Sequence, residues 1–590
     1  MAIFNFPEKY SVIVIGAGHA GCEAAHITAK LGLKTLLITQ NLDTIAQMSC
    51  NPSIGGVGKG QIVKEIDALG GIMGIITDQS ALNYHMLNTS RGPAVQSPRA
   101  QCDKKLYHIN MKKALENTKN LHIIQDEARE LIINGSKLKG VLTERNTAYF
   151  SDIVIITAGT FMKGVIHIGL SSFEGGRYND PPSRFLSENL KALGFNIKRL
   201  KTGTPMRLNS RSIKFDLCDK QTTDNPAEPF SIFTDKATLN KREFLPCWIT
   251  RTNEHTAEII KNNLDTSPLY SGKIKSIGPR YCPSIEDKIV KFPHHKTHHI
   301  FLEPEGYNTN EYYVNGLSTS LSEKTQIEMV KSIDALKDAE IIRMGYAIEY
   351  DYADCQDLKF TLESKIIENL FMAGQVNGTT GYEEAAAQGL IAGINAYLKI
   401  KKAKSLIIER DEAYIGVMID DLISKGVDEP YRMFTSRAEF RLMLRQDNAE
   451  LRLIPKAIEL GIFNEEFKKY FENYKKAYDE FIKDENANLN LDTGPLEIEK
   501  ARISARNDKF YEVYIERNKK EIEKNKLLEK VQIPSNLDYA KIKELSNESK
   551  QKLNRLKPEN LYQASRISGI TPTDIQLLWV LIEKKRKQNA

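Results

Sequence analysis

Near the N-terminus the apolar positions fall into two short runs, SVIVI at 11–15 and the mostly apolar KTLLIT at 34–39, with the alanine-rich stretch CEAAHITAKLG between them. A run that is apolar on both faces and closed by glycine predicts a doubly buried strand. The alanine-rich stretch predicts a helix ending at Gly32. The pattern returns twice. SDIVIITAGTF (151–161) reads as a buried strand ending in a small-residue turn, and ENLFMAGQVNGTTGYEEAAAQGLIAGINA (368–396) as strand, glycine loop and a helix from about Tyr382. In RTNEHTAEIIKNNL a helix opens at Thr252 or Asn253. Beyond about 410 the period becomes helical: in NEEFKKYFENYKKAYDEFIKDENANL aromatics recur every three or four positions, the core stripe of an amphipathic helix. The charged run 509–530 reads as a solvated helix. In the tail, Thr571 is the expected N-cap, Pro572 the first helical residue and Asp574 a first-turn acid, with Ile575, Leu578 and Ile582 on one stripe.

At 590 residues the chain is too long for one core, so two to four domains are expected. The apolar fraction of 41% and charged fraction of 27% are ordinary for a globular protein. No run is long enough to span a membrane. The first apolar run ends in a glycine turn and reads as a strand, not a signal peptide. Seven cysteines without a CxxC pair argue against a disulfide framework, a zinc site or a thioredoxin-like pair, and fit a reducing cytoplasm. The net charge of +6 permits nucleic-acid binding without requiring it. FPHHKTHHIFLEPEG places His294, His295, His298 and His299 close together; a strand would put His295 and His299 on one face, and no metal site is expected there.

Gly16-Ala17-Gly18-His19-Ala20-Gly21 is a GxGxxG turn in the strand–turn–helix–strand context that dinucleotide binding requires. Gly16 makes the tight turn, Gly18 lets a pyrophosphate approach the backbone, and Gly21 lets helix and strand pack closely. The second strand ends Thr39-Gln40-Asn41 where an acid usually holds the ribose, so this spacing does not choose between FAD and NAD. The strand–loop–helix at 368–396 favours FAD, its helix N-terminus facing the flavin, with Gln375 where flavoproteins often carry Asp.

The segments VIGAGHAGCEAA, MSCNPSIGGVGKGQIVKEIDALGG, LNTSRGPAVQSPRAQCDK, GRYNDPPS, RLKTGTPMRL, IGPRYCPSIEDKIVKF, MAGQVNGTTGYEEAAAQGLIAG and EPYRMFTSRAEFRLMLRQDNA carry a resemblance along nearly the whole chain. The chain resembles the bacterial tRNA uridine 5-carboxymethylaminomethyl modification enzymes of the MnmG (GidA) family. The resemblance implies an FAD enzyme that uses NADH and works as a homodimer with the GTPase MnmE. It would build on C5 of the tRNA wobble uridine from methylenetetrahydrofolate and an amine. It implies functional cysteines at Cys50 and Cys282, each in a loop-like context, the second between Arg280 and Lys288. Cys22, Cys102, Cys218, Cys247 and Cys355 keep the packing reading. It further implies FAD contacts at Gly16, Ala17, Gly18, His19, Ala20, Gly21, Ala128, Ser183, Gly374 and Gln375. The NAD-associated segment would comprise Gly278, Pro279, Arg280, Tyr281, Pro283, Ser284, Ile285, Glu286, Asp287, Lys288, Ile289, Val290, Lys291 and Phe292. Three stretches mix cations with aromatics in a way that suits phosphates and splayed bases, and make Arg91, Arg99, Arg207, Arg432, Arg437 and Arg441 candidate tRNA contacts.

The expected fold is α/β: a split Rossmann-like FAD-binding domain (1–204 and 294–408), an inserted NAD-associated α/β subdomain (205–293) and an all-α C-terminal region (409–590) for tRNA and the GTPase. The nearest rival, the folate-dependent tRNA methyltransferase TrmFO, lacks such a helical region.

Overall fold

A computed structural model describes residues 2–278, 283–534 and 536–588. Strand Phe4–Ile15 pairs in parallel with Thr35–Thr39 on one side and Thr147–Ile156 on the other. Leu121–Gln125 extends the sheet beyond Thr35–Thr39, and Leu370–Met372 pairs in parallel with the end of Thr147–Ile156. An antiparallel pair, Ala128–Asn134 and Lys137–Thr143, completes seven strands. Val12, Ile13, Val14, Leu36, Leu37, Val154 and Ile155 are fully buried, as a sheet covered on both faces demands.

The late strand and its helix, Tyr382–Ile400, complete the domain that residue 4 begins. That helix packs on the first helix, His19–Lys30, through Gly389 and Gly393. A Cβ on Gly389 would collide with the Ala20 carbonyl, so the small-residue face AAAQGLIAG sets how closely the two helices approach. The fold is thus the split α/β arrangement expected from the sequence.

The inserted unit is larger than expected. Its six-stranded sheet runs Asp219–Gln221, Cys247–Arg251, His299–Pro304, Glu311–Asn315, Arg207–Asn209, Ile341–Arg343. Arg207–Asn209 pairs with both Glu311–Asn315 and Ile341–Arg343, so a boundary at 293 would remove three of the six strands. One core joins Leu208, Ile260, Ile285, Leu302, Val314 and Met329 across it. Asn253 caps helix Glu254–Asn262 with a reciprocal bond to Thr256. The strand after the histidine cluster starts only at His299, so the shared face expected of His295 and His299 does not form. A four-stranded sheet, which includes Ile197–Thr204 and Tyr346–Ala353, carries the chain between the two units.

From Tyr414 onward the described elements are helical. Phe467, Phe471, Tyr474, Ala477 and Phe481 form the buried stripe of Glu465–Lys483. Residues 531–582 have a separate small core that includes Ile575, Leu578 and Ile582. Thr571 and Asp574 exchange hydrogen bonds at the start of Pro572–Gln588. Among the described residues no helix is long and apolar enough to cross a membrane.

Candidate functional site

The parallel strands end at a cleft of about 870 Å³ between the first sheet and the inserted unit. Ile15, Thr39, Gln125, Thr157 and Ala373 line it, so it lies outside the carboxyl ends of the strands, where open α/β sheets bind ligands. The glycines of the turn have separate reasons. A Cβ on Gly16 would press on the Thr157 carbonyl, and one on Gly21 would collide with the Gly16 carbonyl. A Cβ on Gly18 would meet nothing within 4 Å. Its side of the turn faces the cleft, so what glycine spares there is space for a ligand.

Two helices begin on this cleft, at Gly18 and Gly381, and neither has a side-chain cap. Uncapped helix starts of this kind suit phosphates or other anionic groups of a cofactor. His19 stacks on Tyr382 with ring centroids 4.3 Å apart, and its buried Nε2 has no hydrogen-bond partner among the described residues. These features fit a dinucleotide. Glu127, missed in the sequence reading, lines the cleft beside Gln40, and burial raises its carboxyl pKa. It supplies an acid from the end of the third strand, Leu121–Gln125, where the second strand lacks one. The signal was the pair Asp126-Glu127 just after the short, mostly apolar run 121–124. Ala128, Ser183, Gly374 and Gln375 line the same cleft; Gly21 packs behind it.

This geometry separates two roles for glycine. Gly21→Ala is expected to lower stability by about 1–3 kcal/mol through overpacking. Gly18→Ala should fold with unchanged stability yet lose dinucleotide affinity. Denaturant titration and cofactor retention on gel filtration measure the two effects. Burial also lowers the His19 imidazole to about 4. The unfolded residue titrates near 6.5, so the neutral form stabilises the fold above that pH, and this stability is lost as pH falls from about 6.5 toward 4. Between pH 7 and 4 the protein should lose about 3 kcal/mol more than His19→Gln does in a denaturant titration.

Cys50 lines the same cleft. Its backbone N–H donates to Tyr382 Oη (2.8 Å), and its Sγ lies 3.4 Å from Tyr313 Oη and 3.6 Å from the Gly203 carbonyl oxygen. The next residues are welded to the late helix by buried charge. Lys59 Nζ bridges Glu383 (2.8 Å) and Glu384 (3.0 Å); Glu383 also accepts from Gly55 N–H, and Glu384 from Met433 N–H. Burial alone would raise the Glu383 carboxyl, but the Lys59 ammonium beside it holds it below its usual range. Burial pushes Cys247 up to about 12 and raises Cys22, Cys102, Cys218 and Cys355 as well.

The candidate arginines separate. Arg432 lines the cleft, Arg91 and Arg441 are exposed, and Arg437 is half-buried against the Tyr431 ring at 4.3 Å. Arg99 lines the cleft and pairs with Glu303 at 2.5 Å. Arg207 departs from the expected phosphate contact: it is only 5% exposed, and protein oxygens accept from its guanidinium throughout. In the NAD-associated segment, Ser284 caps helix Ile285–Lys291, Pro283 and Lys288 line the cleft, Glu286 and Ile289 are buried, and Val290, Lys291 and Phe292 are exposed. Gly278 packs against Lys201, and Asp287 pairs with Lys291. Pro279, Arg280, Tyr281 and Cys282 lie outside the described residues.

Fold and cleft together define a Rossmann-like α/β protein with a long helical C-terminal region. The family described as "Glucose inhibited division protein A" matches residues 11–404, and "tRNA modifying enzyme MnmG/GidA C-terminal helical bundle" matches residues 521–590. A protein of Endomicrobium trichonymphae named tRNA uridine 5-carboxymethylaminomethyl modification enzyme MnmG is 49% identical over 585 residues, covering 98% of both chains. One of the same name from Thermodesulfovibrio yellowstonii is 51% identical over 628 residues, covering 98% of this chain and 99% of the relative. The structure of Aquifex aeolicus GidA in its form II crystal is 44% identical, with a TM-score of 0.89 and 98% coverage of both chains. The chain belongs to the MnmG/GidA family and is an enzyme of that family.

Proposed function

We propose that the protein is an FAD- and NADH-dependent tRNA-modifying enzyme. It adds a (carboxymethyl)aminomethyl group to C5 of the wobble uridine, with methylenetetrahydrofolate as one-carbon donor and the GTPase MnmE as partner. The observation that carries this reading is that the glycine turn and Cys50 line one cleft. FAD, when bound, supplies two-electron redox chemistry with NADH as hydride donor. The uncapped helix starts at Gly18 and Gly381 would hold its phosphates and ring charge, and Glu127 its ribose.

Uracil C5 is a poor nucleophile. A thiolate adding to C6 makes C5 enolate-like, able to attack an electrophilic methylene; loss of the C5 proton and departure of the sulfur restore the ring. Cys50 and Cys282 share this work as nucleophile and proton-transfer partner. Arg207 and Lys104 put positive charge near Cys50. A wobble base lies in a loop, so extruding it costs less than breaking a duplex. Arg91, Arg99, Arg432, Arg437 and Arg441 are the candidate RNA contacts, and the described part of the NAD-associated segment borders the cleft at Pro283 and Lys288. The chain acts in the cytoplasm as a homodimer, its terminal helices docking the GTPase.

The test combines two measurements. The purified protein should be yellow and bleach anaerobically with NADH. tRNA from a deletion strain should lack the wobble modification on nucleoside mass spectrometry. Loss of 5-methyluridine instead would favour a folate-dependent methyltransferase, and a flavin that NADH cannot bleach would favour a non-catalytic tRNA-binding protein.

A further inference from the structure

We infer that Arg207 is a positioning residue for Cys50, and that it locks the Cys50 turn of the first unit onto the inserted unit. The inference rests on Cys50 serving the reaction proposed above. The guanidinium makes five hydrogen bonds. Nη2 donates to the carbonyls of Ser49 (3.1 Å) and Cys50 (2.9 Å). Nη1 donates to Thr204 Oγ1 (2.6 Å) and the Pro205 carbonyl (2.7 Å), and Nε to Glu305 Oε1 (2.9 Å). A planar guanidinium has five N–H donors in a fixed fork, so such a set fixes its plane and the peptides it grips.

The grip reaches the sulfur along two routes. Arg207 lies 4.9 Å from the centre of the Tyr313 ring, whose Oη is 3.4 Å from Cys50 Sγ. Thr204, which accepts from Nη1, follows Gly203, whose carbonyl lies against the same sulfur. Glu305, itself buried, receives Lys104 Nζ at 3.0 Å as well as Arg207, so the cation is held from behind. Strand Arg207–Asn209 belongs to the inserted sheet, whereas Cys50 belongs to the first unit. The position of the thiol is therefore set by a contact between units, and Tyr382 fixes its backbone N–H from the other side.

Lysine retains the charge but not the fork, which makes Arg207→Lys the informative variant. In the holoenzyme, a displacement of about 1 Å at a reacting group costs about 10²-fold, so kcat should fall by that order while tRNA affinity stays within about twofold. Iodoacetamide labelling of Cys50, located by peptide mass spectrometry across pH 6–10, should show a slower and alkaline-shifted profile. Glu305→Gln, which loosens the guanidinium without removing it, should shift the profile the same way by less, and it carries the test if Arg207→Lys fails to fold. An unchanged labelling profile in both variants overturns the inference. So does a tenfold loss of tRNA affinity at unchanged labelling, which would make Arg207 a phosphate contact. If Cys50→Ser keeps modifying tRNA, the functional reading fails, while the labelling profile still decides whether Arg207 positions the thiol.

Discussion

Cys50→Ser is expected to abolish wobble-uridine modification, lowering the rate by about 10³-fold or more, while the protein keeps its fold and its flavin. Serine matches the thiol in size, and the contacts that fix the turn use backbone atoms: the Cys50 N–H to Tyr382 and the Cys50 carbonyl from Arg207. The loss would therefore be chemical. A hydroxyl is hardly ionised near neutral pH and replaces a thiol poorly, whether the thiol adds to C6 or transfers the proton. Single-turnover assays on unmodified tRNA, with the flavin absorbance spectrum as a control, measure it. A variant within tenfold of the parent rate would remove Cys50 from the reaction.

The second large effect is on stability. Lys59→Met should destabilise the protein by about 3–5 kcal/mol, because it strands two buried carboxylates. Glu383 and Glu384 have side chains 3% and 0% exposed, so little solvent is at hand to replace the ammonium. The remaining bond to Glu383, from Gly55 N–H, favours its charged form and would sharpen the penalty. Denaturant titration at pH 7 reads the loss. The double variant with Glu384→Gln should recover part of it, since only one uncompensated charge then remains. A cost below about 1 kcal/mol would mean that the buried site admits water.

What the sequence disclosed follows from the range of the interactions involved. Periodicity and glycine spacing are local, so the first strand, the turn at 16–21, the helix from Tyr382 and the cap at Thr571 could be read directly. The completion of the first domain by residues 370–400 was legible because a strand, a glycine loop and a helix follow one another there. The extent of the inserted unit was not. Arg207–Asn209 finds partners more than a hundred positions away, and three-residue strands leave no period to detect. The site was legible in part for the same reason. The motif pointed to the cleft and the cysteine context to Cys50, but a single letter does not show whether an arginine faces water. Arg207 reads like the other candidate arginines, and only its five acceptors set it apart. The acid at Glu127 was hidden because it closes a different strand from the one where acids usually sit. The bond between Lys59 and Glu383 spans 324 positions, and no local pattern anticipates it.

Glu65 gives the helical region a standing that topology alone does not. It is fully buried on helix Lys59–Ala68 and accepts from the backbone N–H groups of Tyr414 and Ile415 and from Arg452. Three pieces of chain that lie far apart in sequence converge on one carboxylate. Severing the protein near residue 408 would strip that buried carboxylate of all three donors, a cost that falls on the first four hundred residues. At 409 the secondary structure changes, and across that point Tyr414, Ile415 and Arg452 share one buried contact with the first domain.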